Sequence, residues 1–185
     1  MNLMKLFFLI FILFIINKSI YSDTVGKVTG YQLPRFVSLK TNESNLRVGP
    51  SLNYPIKIKY LYSNIPVEVV KEYQDWRMVK DYDGNEGWMH KRLLSGKRFA
   101  LILPPYNASV QIYTKPEGIL IGKIGKKNIV ELKRCLAKWC YVIFKKHKGW
   151  VIKSNLWGIY QNEGYKIPFY QPIINYFWKI NFNFL

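Results

Sequence analysis

Short runs of apolar and β-branched residues, broken every 8 to 12 positions by turn-forming residues, run through the chain after residue 23. No helix-period stretch of useful length interrupts them, and this pattern predicts a small all-β barrel or sandwich. In the first half it places strands at 36–40, 56–62, 67–73, 76–82 and 87–91. Asp83-Gly84-Asn85 between the last two reads as a hairpin turn, because glycine tolerates the positive φ that tight turns need. Asp81 and Asp83 frame that turn and read as turn chemistry.

The second half repeats the first. Val67-Glu68-Val69 matches Val130-Glu131-Leu132 at an offset of 63, and Trp76 and Val79 match Trp139 and Val142 at the same offset. After one deletion in the next turn, Gly87-Trp88 matches Gly149-Trp150 and Leu94 matches Leu156. Upstream, Ile56, Ile58 and Leu61 align with Ile119, Ile121 and Ile124. Agreement on strand interiors with divergent loops is how two copies of one unit drift apart.

The first residues bear on compartment. Lys5 precedes an unbroken apolar run from Leu6 to Ile16, and small residues Ser19 and Ser22 follow. The run is shorter than the roughly 20 residues a membrane-spanning helix needs, so a cleaved signal peptide over 1–22 is expected. Residues 23–34, with Gly26, Gly30 and Pro34, read as a linker. The two units follow at 35–98 and 99–160, with a tail at 161–185.

Charge adds a constraint on partners. The formal net charge is +17, and the signal carries off only Lys5 and Lys18, so the mature chain stays strongly basic. Such a chain is drawn to polyanions: nucleic acid, an anionic lipid surface or an anionic cell-wall polymer. Export argues against nucleic acid as the partner and favours a periplasmic or secreted setting. Eight of the 21 residues from Tyr165 to Leu185 are aromatic and none is acidic. That composition suits a membrane surface or a partner, or packing back on the second unit, although Pro168 and Pro172 break any helix there.

Catalytic chemistry is hard to find. His90 and His147 do not align between the copies, and both have basic neighbours, which fits exposed surface histidines. No phosphate loop, nucleophile elbow or metal spacing occurs, so neither an enzyme nor a cofactor or metal is expected. Cys135 and Cys140 are the only cysteines. An offset of 63 sets them on Glu72 and Arg77. An opposite-charge pair in one copy and two thiols in the other are what two facing cross-strand positions hold. In an oxidising compartment a structural disulfide is the expectation, against a redox pair or half of a zinc shell.

The segment NLRVGPSLNYP, then a Trp strand, then EGWMHKRLL, resembles the bacterial SH3-like (SH3b) domain family. Within it the chain is similar to exported alphaproteobacterial two-repeat proteins, on Cys135, Trp139-Cys140 and Leu156-Trp157-Gly158. The resemblance implies two tandem SH3-like β-barrels that bind envelope ligands: peptidoglycan, its stem peptides or an envelope protein. An SH3-type groove would draw on Asn45, Arg47, Tyr54 and Trp76. Trp88 matches Trp150 and reads as core in both copies, whereas Trp76 fits core and groove equally. Gln111 stands in the Arg47 position and Tyr113 in the Gly49 position, which confines the binding expectation to the first copy. A scaffolding protein that docks through its basic surface and aromatic tail is the alternative.

Overall fold

A computed structural model describes residues 24–164. The segment 1–22, expected to be a signal peptide, and the aromatic tail 165–185 lie outside the described residues. Two strands open the described chain, β1 (Thr24–Val25) and β2 (Gln32–Leu33). Seven more follow: β3 (Arg35–Leu39), β4 (Ser44–Arg47), β5 (Ile56–Tyr60), β6 (Pro66–Tyr73), β7 (Trp76–Lys80), β8 (Glu86–His90) and β9 (Leu94–Ser95). A further seven complete it: β10 (Phe99–Ile102), β11 (Ser109–Tyr113), β12 (Leu120–Gly125), β13 (Ile129–Cys135), β14 (Trp139–Phe144), β15 (His147–Ile152) and β16 (Leu156–Trp157). Among the described residues no helix is long and apolar enough to cross a membrane.

The strands form two antiparallel seven-stranded sheets with one connectivity. The first runs β5-β4-β8-β7-β6-β3-β9, the second β12-β11-β15-β14-β13-β10-β16. Adding seven to each label of the first gives the second. Both sheets are bulged at the same two places: opposite Leu46/Arg47 and Ile112/Tyr113, and between Val69/Lys71 and Leu132/Arg134. A bulge adds one residue and re-aims the strand, so shared bulges carry shared curvature. No ladder joins β5 to β9 or β12 to β16, so each sheet is open in its backbone pairing. Each has its own core. Leu39, Leu46, Val67, Val69, Val79 and Met89 fill the first, and Ile102, Ile112, Val130, Val142 and Val151 lie in the second.

β4 is absent from the hydrophobic pattern because SNLR carries a single apolar residue. It is a strand because Ser44 and Leu46 alternate inward, with Ser44 Oγ 3.0 Å from Thr41 Oγ1. The segment read as a linker is also structured. β1 and β2 pair as a hairpin, and its turn wraps one carboxylate, that of Glu72 on β6. Val28 N and Thr29 N donate to Glu72 Oε2 at 3.1 and 3.0 Å, and Thr29 Oγ1 and Arg35 Nη2 donate to Oε1 at 2.6 and 2.9 Å. A Cβ at Gly26 would sit 2.5 Å from the same carboxylate, so glycine is needed there. Arg77 Nε lies 3.5 Å from Oε1, and the Glu72 side chain is 1% exposed. Burial alone would raise its pKa, but the donors from Thr29, Arg35 and Val28 outweigh it and hold the group at about 2.

The Glu72 and Arg77 positions face each other across the β6–β7 hairpin, and Cys135 and Cys140 face each other across β13–β14. The two cysteines form a disulfide, with Cα atoms 4.1 Å apart. The expected cross-strand facing therefore holds in both sheets.

Aromatic side chains join the sheets. Phe36 on β3 packs against Trp157 and Tyr160 at centroid distances of 5.2 and 4.7 Å, and Tyr82 meets Trp157 edge-on at 6.3 Å. Tyr160 Oη donates to Glu68 Oε1 at 2.8 Å, across 92 residues of sequence. Burial, with the Glu68 carboxylate beside it, pushes the Tyr160 hydroxyl well above its ordinary pKa.

Candidate functional site on the outer face of the first sheet

Alternation along a strand sends successive side chains to opposite faces. On β7, Arg77 and Val79 turn to the core, leaving Trp76, Met78 and Lys80 on the outer face. Across from them β8 presents His90, Trp88 and Glu86, in register Trp76 with His90 and Met78 with Trp88. β4 adds Arg47 opposite Trp88 and, two residues earlier on the same side, Asn45. The outer face of β4-β8-β7-β6 is thus a stripe of Arg47, Trp88, Met78 and Lys71, with Tyr73 and Trp76 beside it.

The four residues singled out from sequence sit as follows. Asn45 and Arg47 share one side of β4. The Asn45 side-chain oxygen is buried and has no hydrogen-bond partner among the described residues. Such an orphan costs about 1–3 kcal/mol unless a ligand or water fills it. Arg47 Nη1 donates to the Tyr54 carbonyl at 2.6 Å and so ties down the 48–55 loop. Of the two roles open to an arginine here, holding the loop is the one its contacts display. The Tyr54 ring lies on Gly49, where an added Cβ would come within 2.6 Å of it, and the residue stays 46% exposed. Gly49 therefore lets the ring lie flat on the loop while turning its free face outward.

Trp76 differs from the groove expectation, being 8% exposed and packed edge-on to His90 at 5.4 Å. It walls the stripe from beneath. Tyr73, which the sequence pattern did not single out, takes the open position: it is 51% exposed and meets Trp88 edge-on at 6.4 Å. Its signal was its place at the end of a strand beside a two-residue turn, which leaves a side chain uncovered.

Neighbouring titratable groups serve local structure. His90 Nδ1 accepts from Arg92 N at 3.2 Å and caps the short turn Lys91–Leu93. Asp81 accepts from Asp83 N, Asn85 N and Tyr60 Oη, at 3.0, 2.8 and 2.7 Å, so the 81–85 turn is built on one carboxylate. Among the described residues no group of three or more His, Cys, Asp or Glu is placed to hold a metal.

Strand register corrects the alignment of the copies. Arg47 pairs with Trp88 and Tyr113 with Trp150, so Tyr113, not Gln111, stands in the Arg47 position, and Gln111 stands in that of Asn45. Likewise Ile56, Ile58 and Tyr60 correspond to Leu120, Gly122 and Ile124. The loop between β4 and β5 is two residues longer than its counterpart between β11 and β12, and a constant offset across it slips the register. In the second sheet Tyr113 packs on Trp139 at 5.4 Å, and the Arg134 guanidinium lies 5.0 Å from the Trp150 ring. That face covers its own aromatics. The first leaves Tyr54 and Tyr73 open, with a longer loop beside them.

Residues 40–96 match the bacterial SH3 domain family. The match begins just after β3 and covers β4 to β9, and so includes the whole outer-face stripe of the first sheet. Among solved structures the chain is similar to NlpC2 from Trichomonas vaginalis, with a TM-score of 0.32 and 16% identity over 73% of this chain and 52% of that one. NlpC1 from the same organism gives 0.32 and 15%, over 76% and 52%. The chain spans about half the length of each. A comparison with curated proteins gives no match.

Proposed function

We propose that this protein is a non-catalytic, exported binding module of the bacterial cell envelope. In this reading it consists of two tandem SH3-like units at 35–98 and 99–160, and it engages a cell-wall polymer, a stem peptide or an envelope protein through the outer face of the first. The observation that carries the reading is the bacterial SH3 domain match over 40–96, which falls on a face with open aromatics and an orphaned Asn45 oxygen. Exposed aromatic rings on a sheet face that also carries Arg47 and Lys71 suit the alternating polar and apolar groups of an extended peptide or amino-sugar polymer. The repeated strand order supports the tandem arrangement. The apolar segment at the N-terminus and the Cys135–Cys140 disulfide support export.

The test is co-sedimentation of the mature protein with purified peptidoglycan sacculi at moderate salt, with anionic vesicles in parallel. Retention on sacculi is the expected result. Protein that stays in solution with sacculi and sediments only with vesicles contradicts the reading, and favours the scaffold alternative.

A further inference from the structure

A second site lies on the side of β7 opposite to Trp76 and Met78. Here a cavity of about 490 Å³ opens beside the N-terminal hairpin, lined among others by Tyr31, Arg35, Phe36, Arg77, Lys91 and Leu94. Its lining combines apolar side chains with neutral Thr29 and Ser95, and its charged side chains are all cationic. The Arg35 Nη1 atom is buried with no partner among the described residues, since Glu72 takes only Nη2.

The second sheet shows how a seat of this kind is filled. Arg98 occupies the Arg35 position, with its carbonyl accepting from Leu132 N at 2.9 Å as Arg35 pairs with Val69. Lys153 opens the turn Lys153–Asn155 as Lys91 opens Lys91–Leu93. Past Gly158 the chain folds back over both cations. Arg98 Nη1 and Nη2 donate to the two carboxylate oxygens of Glu163 at 2.6 and 3.0 Å, and Nη2 also donates to the Gly158 carbonyl at 3.0 Å. Lys153 Nζ donates to the carbonyls of Gln161 and Glu163 at 3.2 and 2.6 Å, and the residue is 1% exposed. Only about 170 Å³ remains open there.

In the first sheet the corresponding chain leaves Gly96 for β10 and does not fold back. Lys91 turns outward to Asp75 at 2.8 Å. The same arginine and lysine are present: the hairpin reaches Arg35, whose guanidinium lies 5.4 Å from the Tyr31 ring, but no main chain bridges Arg35 and Lys91 as residues 158–163 bridge Arg98 and Lys153. We propose that this cavity binds a peptide turn bearing a carboxylate, held by Arg35 and Lys91 as Arg98 and Lys153 hold residues 158–163, where Glu163 N donates to the Tyr160 carbonyl at 3.0 Å. The charges agree: Arg35, Arg77 and Lys91 outnumber Glu72 and Asp75. A guanidinium–carboxylate pair supplies the directional, charge-assisted part of the recognition. This site is distinct from the outer face, so either can fail alone.

The probe is the heptapeptide Gly-Ile-Tyr-Gln-Asn-Glu-Gly, the sequence of residues 158–164, titrated into the full mature protein and followed by amide NMR. Saturable shifts at Tyr31, Leu94 and Gly96 are expected, with about tenfold weaker binding when the peptide's Glu is replaced by Gln. Lys91→Ala, at a half-exposed position that leaves the Glu72 cluster intact, weakens binding about fivefold. The proposal is overturned if those amides do not move at millimolar peptide, or if both peptides bind equally. Shifts confined to Arg98 and Lys153 also overturn it, because the peptide is then exchanging with the chain's own segment.

Discussion

The two sheets share strand order, bulges and core, yet they fill one cross-strand position in opposite ways. In the first, Glu72 and Arg77 form a buried ion pair. In the second, Cys135 and Cys140 form a disulfide. The disulfide is self-contained and needs nothing beyond its hairpin. A buried carboxylate needs every lone pair satisfied, and Glu72 recruits Thr29, Val28 and Arg35 to do so. One substitution of chemistry thus decides whether flanking chain must fold onto the sheet. Replacing the acid by a thiol also frees the second sheet's arginine, and Arg98 takes its carboxylate from beyond the last strand, at Glu163. The first sheet is closed by chain that precedes it, the second by chain that follows.

The sharpest way to break this comparison is Glu72→Gln. It removes the charge that compensates half-buried Arg35 and buried Arg77, and a loss of about 3–5 kcal/mol is expected in chemical denaturation. Amide protection in the 24–33 hairpin should fall with it. A loss below about 1 kcal/mol would mean that the cluster is decorative. Acid probes the same group. Glu72 is held from its ordinary 4.5 down to about 2, so its contribution is full above pH 4.5 and is lost as pH falls toward 2. A shift of that size corresponds to about 3 kcal/mol. The first core is therefore expected to melt before the second on acid titration, since a disulfide carries no proton in this range.

Cys135→Ala with Cys140→Ala should cost less, about 2 kcal/mol, because the loop it closes is short. Differential scanning calorimetry would register the loss in the second sheet only. Smallest is Tyr160→Phe, which removes the hydrogen bond to Glu68 while keeping the stack on Phe36. About 1 kcal/mol is expected, read as earlier separation of the two melting steps.

Much of this was legible in the sequence, for identifiable reasons. The likeness of the two halves showed in core positions such as Val67 and Val79, where volume constrains substitution, whereas Trp88, read as core, lies half-buried on the outer face of β8 beside Met78 and Arg47. The cysteine pairing followed from the same offset, because β6–β7 and β13–β14 have hairpins of equal length. What the sequence concealed lay where loop lengths differ. The two extra residues between β4 and β5 hid the pairing of Arg47 with Tyr113. β4 itself was hidden because its inward Ser44 is polar. The hairpin at 24–33 looked like linker because its anchor, Glu72, lies some 40 residues on, and only the fold brings them together. Trp76 carried no mark of its burial: an outward position on β7 becomes buried when His90 packs against it, and the open position passes to Tyr73. Of the candidate residues, Asn45 and Arg47 lie on one side of β4 and Tyr54 in the adjoining loop, while Tyr73 carried no signal in the pattern.

Under the proposed function, ligand contact belongs to the outer face of the first sheet. The most direct test is sacculus co-sedimentation of three mature proteins side by side: the wild type, Tyr54→Ala with Tyr73→Ala, and Tyr113→Ala in the second sheet. Both substituted tyrosines of the first sheet are exposed, so the fold should survive, as circular dichroism would verify. At least about tenfold weaker retention is expected for the first-sheet variant, consistent with the loss of two aromatic contacts, and no change for Tyr113→Ala. Equal retention of all three, or loss only with Tyr113→Ala, would contradict it.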